Sequence, residues 1–371
     1  MNEPLDTGAS WLTPDSLEDV LLGACILGAG GGGPRVLGQS LLNSAKGMVL
    51  PQVVLPAQVP DAARMAVSAC AGSPTAAVVD PFPFDVATTA YHELGSLLGG
   101  GFDYVLAGEL GAGNSFIPIL VAAQLGLPLI DASGARRAMS TLPEATFAAN
   151  GVAISPLVAA DGKTKVVFST DTAVEADPVL RAIMSSGTFP DFAGVAMWAM
   201  DGETMKRAAI GGTLAYARDL GTTLRQARGK DPVEAVRAYL KGKVLFRGTI
   251  ISSASQSAGG FDLGRITLQS SDGSAQCTVY NQNENLIAWS NQKPTPLGMG
   301  PDLLCWLTVD GEPFTNAPPD IAKYVPPTKE VVLIGAPSPA QSRAASIINA
   351  YMSILRQIGY AGPYVAIEDL P

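Results

Sequence analysis

One segment, residues 104–131, limits the possible folds of this 371-residue chain more than any other stretch. It begins with a short apolar run, Tyr104–Ala107, and a glycine-rich loop at 108–113. An apolar stretch of helical length, Phe116–Leu125, follows, and a second short apolar run, Leu127–Ile130, comes next. Strand, loop, helix and strand in this order are typical of a parallel βαβ unit. The segment therefore predicts an α/β region with parallel strands.

The rest of the chain divides into an α/β part and a β-rich part. Helical spacing of apolar residues occurs over Ser16–Leu27 and again over 201–240, with an interruption at 211–212. Short alternating runs and Asp-Gly turns occupy 243–335, and 340–358 predicts a last helix. These patterns predict a two-domain α+β protein: an α/β N-terminal region with parallel βαβ units, plus a β-rich C-terminal module. Further predicted elements are a helix from Pro34, short strands at Gln52–Leu55, Met65–Cys70 and Thr75–Val79, and a helix from Asp85 to the glycines at 99–101.

Charged residues are scarce in this chain. They make up 15% of it, against ~25% in typical soluble domains, and the formal net charge is −9. An acidic chain with few lysines and arginines is poorly suited to binding nucleic acid or anionic lipid, because both carry negative phosphate groups. We therefore expect no nucleic-acid and no membrane partner. The scarcity of charge also predicts little free surface, as in a homo-oligomer that buries much of its exterior.

The N-terminal residues and the metal-binding residue types exclude further classes of protein. Acidic residues replace the basic region of a signal peptide, and the longest apolar run is too short to span a bilayer, so we expect a cytoplasmic protein. A single histidine, His92, cannot form a multi-histidine zinc site, and none of the four cysteines belongs to a C-x-x-C pair. These residues predict neither a metal nor a cofactor.

A glycine-rich run at 28–33 has the G-x-G-x-x-G spacing of a dinucleotide-binding fingerprint. The structural context is wrong, since a predicted helix precedes the run and no acidic residue between Asp19 and Asp61 could bind a ribose. Two interpretations remain. The backbone N–H groups could bind an anion or a polar substrate ring, or the glycines could allow two helices to cross closely. The candidate binding residues are Gly30, Gly31, Gly32 and Gly33.

Two carboxylates follow the strands of the βαβ unit. Glu109 and Asp131 are each expected just past the carboxyl end of a parallel strand, at the edge where open α/β sheets bind ligands. Asn114, Arg136 and Arg137 are close enough in sequence to reach the same crevice. The site would use Glu109 or Asp131 as a base, with Arg137 and Asn114 as donors to a small polar ring. Alternatively, Glu109 caps a helix and Asp131 caps the next element, each paired with an arginine, since structural ion pairs resemble active sites in a sequence.

A dense polar run over 281–285 lies between apolar residues of the β-rich module. It is either a turn with exposed amides or a strip that faces a ligand. In the second case Asn283, Glu284 and Asn285 are candidates for binding the substrate ring.

Seven short motifs follow one another in a characteristic order. They are Leu27–Pro34, Gly72–Thr75, Glu109–Ser115, Leu127–Asp131, Gly260–Arg265, Asn283–Ala288 and Pro301–Leu303. Over nearly the whole chain this order resembles the DUF917 family, also called the S-methyl thiohydantoin desulfurase-like family. The resemblance implies a family N-terminal domain over 1–165 and a C-terminal domain over 166–371, with a helical segment (201–240) and the β-rich module (243–335). It also implies hydrolysis of a methylthio-substituted hydantoin ring with loss of methanethiol, and association with hydantoinase- or oxoprolinase-type proteins.

The chain departs from the family pattern after the second strand of the βαβ unit. Where the family segment reads like D-x-D-G-x-G-R-A-x-P-E, Ser133 replaces the second acid and Ser140-Thr141 the Pro-Glu pair. An acid expected soon after Gly72–Thr75 is also missing unless Asp80 replaces it. Fewer carboxylates imply a different substrate or lost catalysis. The matching residues are Asp131, Gly134, Arg137 and Ala138.

These observations lead to three hypotheses. The first is a hydrolase that acts on a small molecule with a hydantoin-like ring or a related cyclic amide. The second is a non-catalytic ligand-binding or partner subunit of a hydantoinase- or oxoprolinase-type system. The third, a metal-dependent amidohydrolase, would have to bind its metal almost entirely through carboxylates.

Overall fold

Two β-sheets organise this computed structural model, which describes residues 11–73, 76, 82–190, 192–258 and 261–370. The first sheet draws its strands from residues 53–211 and the second from residues 243–336. The predicted two-domain α+β architecture, with parallel strands in the first part and a β-rich module in the second, is confirmed. The predicted strand Thr75–Val79 lies outside the described residues, apart from Ala76.

The first sheet is mixed, with a parallel half and an antiparallel half. Its strands are β1 (Val53–Val54), β2 (Arg64–Gly72), β3 (Tyr104–Ala107), β4 (Leu129–Ser133), β5 (Leu157–Ala160), β6 (Lys165–Phe168), β7 (Phe192–Asp201) and β8 (Ile210–Gly211). Their order is β1-β4-β3-β2-β7-β5-β6, with β8 beside β4. Strands β1 to β4 run parallel to one another, and the other four are antiparallel to their neighbours. The domain boundary expected at 165 falls inside this sheet, because β6, β7 and β8 follow it in sequence.

Helices cover both faces of the first sheet. They are α1 (Pro14–Leu27), α2 (Arg35–Lys46), α3 (Asp85–Leu97), α4 (Ile117–Leu125), α5 (Thr146–Ala149), α6 (Ala173–Met184) and α7 (Gly202–Ala208). Successive side chains of a strand point to opposite faces of a sheet. Accordingly, Ala66 and Val105 pack with α1–α4, whereas Val67 and Leu106 pack with α5–α7. The predicted βαβ unit is β3, α4 and β4, and the helix predicted from Pro34 begins one residue later, with Pro34 as its N-cap.

Two further helices, α8 (Thr213–Ala227) and α9 (Pro232–Leu240), connect the first sheet to the second. Helix α8 crosses α1 so closely that a Cβ atom at Gly221 would lie 1.8 Å from the backbone oxygen of Asp19. Helices α1, α8 and α9 then share an apolar cluster with Leu303 and Val332 of the second sheet. The two sheets are therefore joined through a common layer of helices.

The second sheet is entirely antiparallel. Its strands are β9 (Lys243–Ala258), β10 (Phe261–Gln269), β11 (Gln276–Gln282), β12 (Glu284–Ser290), β13 (Gly298–Met299), β14 (Leu303–Thr308) and β15 (Glu330–Ala336), in the order β13-β12-β11-β10-β9-β15-β14. The sequence patterns did not predict the short helix α10 (Pro318–Ile321). The predicted helix 340–358 consists of a 3-10 turn, Ala340–Arg343, followed by α11 (Ala345–Gln357). In the described ranges, every helix falls short of the length and apolarity that crossing a membrane requires.

Candidate functional site

A cavity of about 100 Å³ lies where the carboxyl ends of β2 and β3 face the second sheet. Its walls are largely apolar, with Val67, Phe192, Met197 and Trp198 among the lining residues. The polar and charged side chains that line it are Ser73, Glu109, Asn114, Thr141, Arg181, Asn283 and Glu284. Side chains from the α/β region and from the β-rich module therefore meet in one cavity.

Glu109 lies in the loop after β3, at the strand edge where α/β sheets bind ligands. Asn114 Nδ2 donates a hydrogen bond of 2.7 Å to Glu109 Oε1, and the Met139 N–H donates one of 2.6 Å to Oε2. Burial raises the pKa of Glu109 to about 8, and the neighbouring Glu284 carboxylate adds to the rise. A carboxyl with this pKa retains its proton at neutral pH and can act as an acid.

Glu284 faces the same cavity from the first residue of β12. The Gly32 N–H donates a hydrogen bond of 3.1 Å to Glu284 Oε1, and the Ser140 hydroxyl donates one of 3.0 Å to Oε2. Burial raises the pKa of Glu284, and the positive charge of Arg137 is the main influence opposing that rise. The pKa of Glu109 is lowered by two neutral hydrogen-bond donors, Asn114 and the Met139 N–H, and not by a cation. The buried cation thus favours ionisation of Glu284 over Glu109.

The glycine run packs backbone against backbone on the loop after β3. A Cβ atom at Gly32 would lie 2.5 Å from Gly111 Cα, and Gly32 itself has a φ of +69°. The Gly113 N–H donates a hydrogen bond of 2.8 Å to the Gly32 oxygen. Gly32 and Gly33 line the cavity, whereas Gly30 and Gly31 face Asn316 and Glu284. At the start of α2, the Arg35 N–H donates to Asp320 Oδ2, so a protein carboxylate already occupies this helix end.

The candidate amides hold the walls of the cavity in place. Asn114 Oδ1 accepts a hydrogen bond from the Cys70 N–H, and Asn114 Nδ2 donates one to the Cys70 oxygen, as a neighbouring strand would. Asn283 adopts a φ of +58° between β11 and β12, and its Oδ1 accepts from the Asp262 N–H. Asn285 Nδ2 donates to the Leu304 oxygen, and the Asn285 N–H donates to the Ala29 oxygen. Asn114 and Asn283 line the cavity, whereas Asn285 anchors the glycine run behind it.

Asp131 lies apart from Glu109. It is the third residue of β4, within the strand instead of past its end, and it does not line the cavity. Its Oδ1 accepts hydrogen bonds from the N–H groups of Leu214 and Ala215, at 2.8 and 3.4 Å, in the first turn of α8. Asp131 therefore has the capping role of the alternative interpretation, but no ion pair between Asp131 and an arginine occurs among the described residues. The structure therefore does not bring the two predicted carboxylates into one crevice.

Arg137 is buried behind the cavity instead of lining it. Its guanidinium donates hydrogen bonds of 3.0, 3.1, 2.7 and 3.2 Å to the backbone oxygens of Ala138, Pro301, Asp302 and Asn285. Within the described residues, no carboxylate oxygen lies within 4.0 Å of its nitrogens. Arg136 lies elsewhere, 4.3 Å above the ring of Tyr216. Arg137 thus acts on the cavity through its charge, not through direct contact.

A third buried carboxyl, which was not among the predicted site residues, lies beside the cavity. Glu144 ends a 3-10 turn, Leu142–Glu144, and its side chain is almost fully buried. Burial raises the pKa of Glu144 to about 7. Its signal was present in the sequence, since a Pro-Glu pair stands at 143–144, three residues after the expected position. The expectation of lost acids at Ser140-Thr141 therefore overlooked this pair.

Some expected site residues lie outside the described part of the chain. Pro74, Thr75, Asp80 and Gly260 are in this group, so the structure does not place the acid that Asp80 would supply. Among the described residues, no three His, Cys, Asp or Glu side chains are grouped as a metal site would require.

Comparison with known proteins assigns Glu109 and Glu284 to two different domains of one family. The S-Me-THD-like N-terminal domain matches residues 15–171, which include Glu109, and the S-Me-THD-like C-terminal domain matches 170–349, which include Glu284. A crystal structure of a protein from Chromobacterium violaceum is similar, with 29% sequence identity and a TM-score of 0.84 over 96% of this chain and 99% of that one. A comparison with curated proteins found no match. Since the two family models together span residues 15–349, the chain belongs to the S-Me-THD-like family.

Proposed function

We propose that this protein hydrolyses a small methylthio-substituted ring of the hydantoin type and releases a thiol. One observation carries the proposal: two buried carboxyls, Glu109 and Glu284, line the same small cavity and differ in how strongly their surroundings favour ionisation. Two titratable groups whose environments separate their pKa values are typical of paired acid and base catalysts. The family to which the chain belongs is consistent with this substrate class.

The dimensions of the cavity favour a small, flat and neutral ring. Its volume of about 100 Å³ is somewhat below the ~150 Å³ of an engineered apolar cavity that binds benzene. The apolar walls formed by Val67, Met197 and Trp198 suit the faces of a ring. A second negative charge would be disfavoured beside Glu284. A neutral five-membered ring with polar edges meets these conditions.

Each carboxyl has a distinct role in the proposed reaction. Glu284, which the charge of Arg137 favours in its ionised form, accepts a proton from the attacking water. Glu109, whose pKa is raised to about 8, is protonated at neutral pH and acts as the acid. The hydrogen bonds from Gly32 to Glu284 and from Asn114 to Glu109 hold both groups in position.

The proposed step balances as follows. Water adds across the ring C=N bond that bears the methylthio group, so a C–O bond forms and the ring nitrogen gains a proton. The C–S bond then breaks as the new hydroxyl loses its proton and becomes a carbonyl. The leaving sulfur takes a proton, which gives methanethiol and a hydantoin. Glu284 and Glu109 return to their starting protonation states, and the reaction needs no redox partner.

Thiol release from purified protein tests the proposal. The substrate is an S-methyl thiohydantoin, and a thiol-reactive dye follows the product. Glu109→Gln and Glu284→Gln should each lower turnover by about 100-fold or more, the usual contribution of an acid or base catalyst. Glu234→Gln is the control, because this exposed residue pairs with Arg237 and does not line the cavity. Calorimetry that detects heat of binding without any thiol release would instead support the alternative of a non-catalytic ligand-binding subunit.

A further inference from the structure

Glu144 is separated from the cavity by a single hydroxyl group. The Thr141 side chain lines the cavity, and its Oγ1 donates a hydrogen bond of 3.1 Å to Glu144 Oε1. The other oxygen, Oε2, accepts a hydrogen bond of 2.9 Å from the Ser140 N–H. Glu144 itself does not line the cavity. Among the described lining residues, Thr141 therefore connects Glu144 directly to a molecule bound in the cavity.

Ser140 connects the same carboxyl to the proposed base. While its N–H binds Glu144, its hydroxyl donates to Glu284 Oε2. The Ser140 backbone oxygen in turn accepts a hydrogen bond of 2.9 Å from Arg181. Two successive residues, Ser140 and Thr141, thus bring Glu144 into the hydrogen-bond network of the cavity.

Charged and titratable groups face Glu144 from each neighbouring element. Arg137 lowers its pKa through positive charge, Glu284 of β12 raises it, and Tyr351 of α11 forms a hydrogen bond with it. Helix α6 contributes Asp177, which accepts from the Leu142 N–H, and Arg181, which pairs with Asp177. Arg137 also lies 5.3 Å from the centre of the Tyr351 ring. Among these groups, two cations, Arg137 and Arg181, face three carboxyls, Glu144, Glu284 and Asp177. This excess of carboxyls favours the retention of a proton on a buried one.

We propose that Glu144 stores a proton for the cavity and exchanges it through the Thr141 hydroxyl. The proposal extends the proposed function, because Glu144 would buffer the protons that Glu109 and Glu284 exchange with the substrate during each turnover. In the transfer, the Thr141 hydroxyl first turns its hydrogen from Glu144 Oε1 towards the cavity, so that Oγ1 can accept from the protonated carboxyl. The O–H bond of Glu144 then breaks as its proton moves to Thr141 Oγ1. The hydroxyl proton of Thr141 simultaneously moves to water or ligand in the cavity, so Thr141 ends unchanged. The pKa of Glu144, raised to about 7 by burial, suits such a role near neutral pH.

The test measures proton exchange in the ligand-free protein and needs no substrate. After rapid transfer into D₂O, the infrared band of the protonated Glu144 carboxyl shifts as deuterium replaces hydrogen, and Glu144→Gln identifies that band by removing it. Thr141→Val should slow the shift at least about tenfold, because it removes the only hydroxyl between Glu144 and the cavity among the described lining residues. Thr141→Ser retains the hydroxyl and should exchange like the unmodified protein. Equal exchange rates in Thr141→Val and the unmodified protein would overturn the proposal.

Turnover supplies a second, separate readout. If the chain releases thiol, Thr141→Val should lower the maximal rate while leaving the Michaelis constant unchanged, and Thr141→Ser should restore the rate. A Thr141→Val protein with an undiminished maximal rate contradicts the proton-storing role of Glu144. If the unmodified protein releases no thiol, the proposed hydrolysis fails, and the infrared exchange alone decides the role of Glu144.

Discussion

The amide N–H of Gly32 donates a hydrogen bond to Glu284 Oε1 across 252 positions of sequence. The neighbouring Gly31 leaves no room for a side chain, since a Cβ atom there would lie 2.0 Å from the same oxygen. The glycine run thus forms a backbone support for a carboxylate that belongs to the other sheet. Of the two interpretations of this run, close backbone packing accounts for its glycines, although the packing joins loops as well as helices.

Gly31→Ala should impair catalysis more than stability. Gly31 is not among the residues with positive φ, so the substitution acts through contact with Glu284, not through backbone strain. A carboxylate displaced by about 1 Å is expected to lower turnover by about 100-fold. Gly101→Ala is the matched control, because a Cβ atom at Gly101 meets nothing within 4 Å. Thiol release and thermal unfolding of both variants measure the contrast, and equal activity in the two would contradict the support role.

Stability should depend on pH through Glu109. Its pKa is raised from 4.5 to about 8, so between these values the folded protein holds a proton that the unfolded chain has released. The free energy of unfolding therefore falls as pH rises through this window. Glu109→Gln removes the titration, so its stability relative to the unmodified protein should increase from pH 5 to pH 8 by at most about 4 kcal/mol. Urea unfolding of both proteins at pH 5 and pH 8 tests this. If their free energies of unfolding differ by the same amount at both pH values, the pKa of Glu109 is not raised.

Replacing Asp131 distinguishes a helix cap from a catalytic base. Asp131→Asn retains an oxygen to accept from Leu214 and Ala215, so we expect turnover within about twofold of the unmodified protein and a stability change below about 1 kcal/mol. Asp131→Ala removes the acceptor and should destabilise the fold by about 1–2 kcal/mol. Thermal unfolding and thiol release are measured on both. A turnover defect in Asp131→Asn comparable with that of Glu109→Gln would return Asp131 to the list of catalytic candidates.

Arg137→Met should affect both folding and the pH dependence of the reaction. Removing the guanidinium leaves four buried backbone oxygens without their donor, and each acceptor that stays unsatisfied is expected to destabilise the fold by about 1–3 kcal/mol. It also removes the positive charge that lowers the pKa of Glu284, so the acidic limb of the pH–rate profile should move to higher pH. Arg137→Lys keeps the charge but not the forked geometry, and should shift the profile less. A profile that moves equally in both variants would argue against an electrostatic role.

Local patterns in the sequence were sufficient to predict the parallel βαβ unit of the first sheet and the β-rich module. The βαβ unit and the β-rich module follow from apolar run length and turn residues, and both are present. The hairpin β5–β6 and strand β7 were not predicted. Strand β7 is buried along nearly its whole length, so its residues lack the alternation that marks a half-exposed strand. Strand β6 lies at the edge of the sheet, is only four residues long and is half exposed.

The site depends on contacts that local patterns cannot show. Glu109 was singled out from its position after β3, and Glu284 from the polarity of its neighbours, but only the fold places both in one cavity. Asp131 appeared equivalent to Glu109 because both follow predicted strands; the difference arises because β4 continues to Ser133 and α8 packs beside it. Arg137 was expected to contact the substrate. It lies behind the cavity because its guanidinium donates hydrogen bonds to the backbone oxygens of Pro301 and Asp302, which are distant in sequence.

Each of the two family domains contributes one carboxyl to the proposed acid–base pair, and neither contains both. A gene that encoded only one of them would therefore supply one of the two proposed catalytic carboxyls and a cavity that lacks the lining residues of the other domain. Two such fragments, expressed separately, would have to associate before either became active. The shared cavity thus gives natural selection a reason to keep both domains in one polypeptide, independent of the stability that their contact provides.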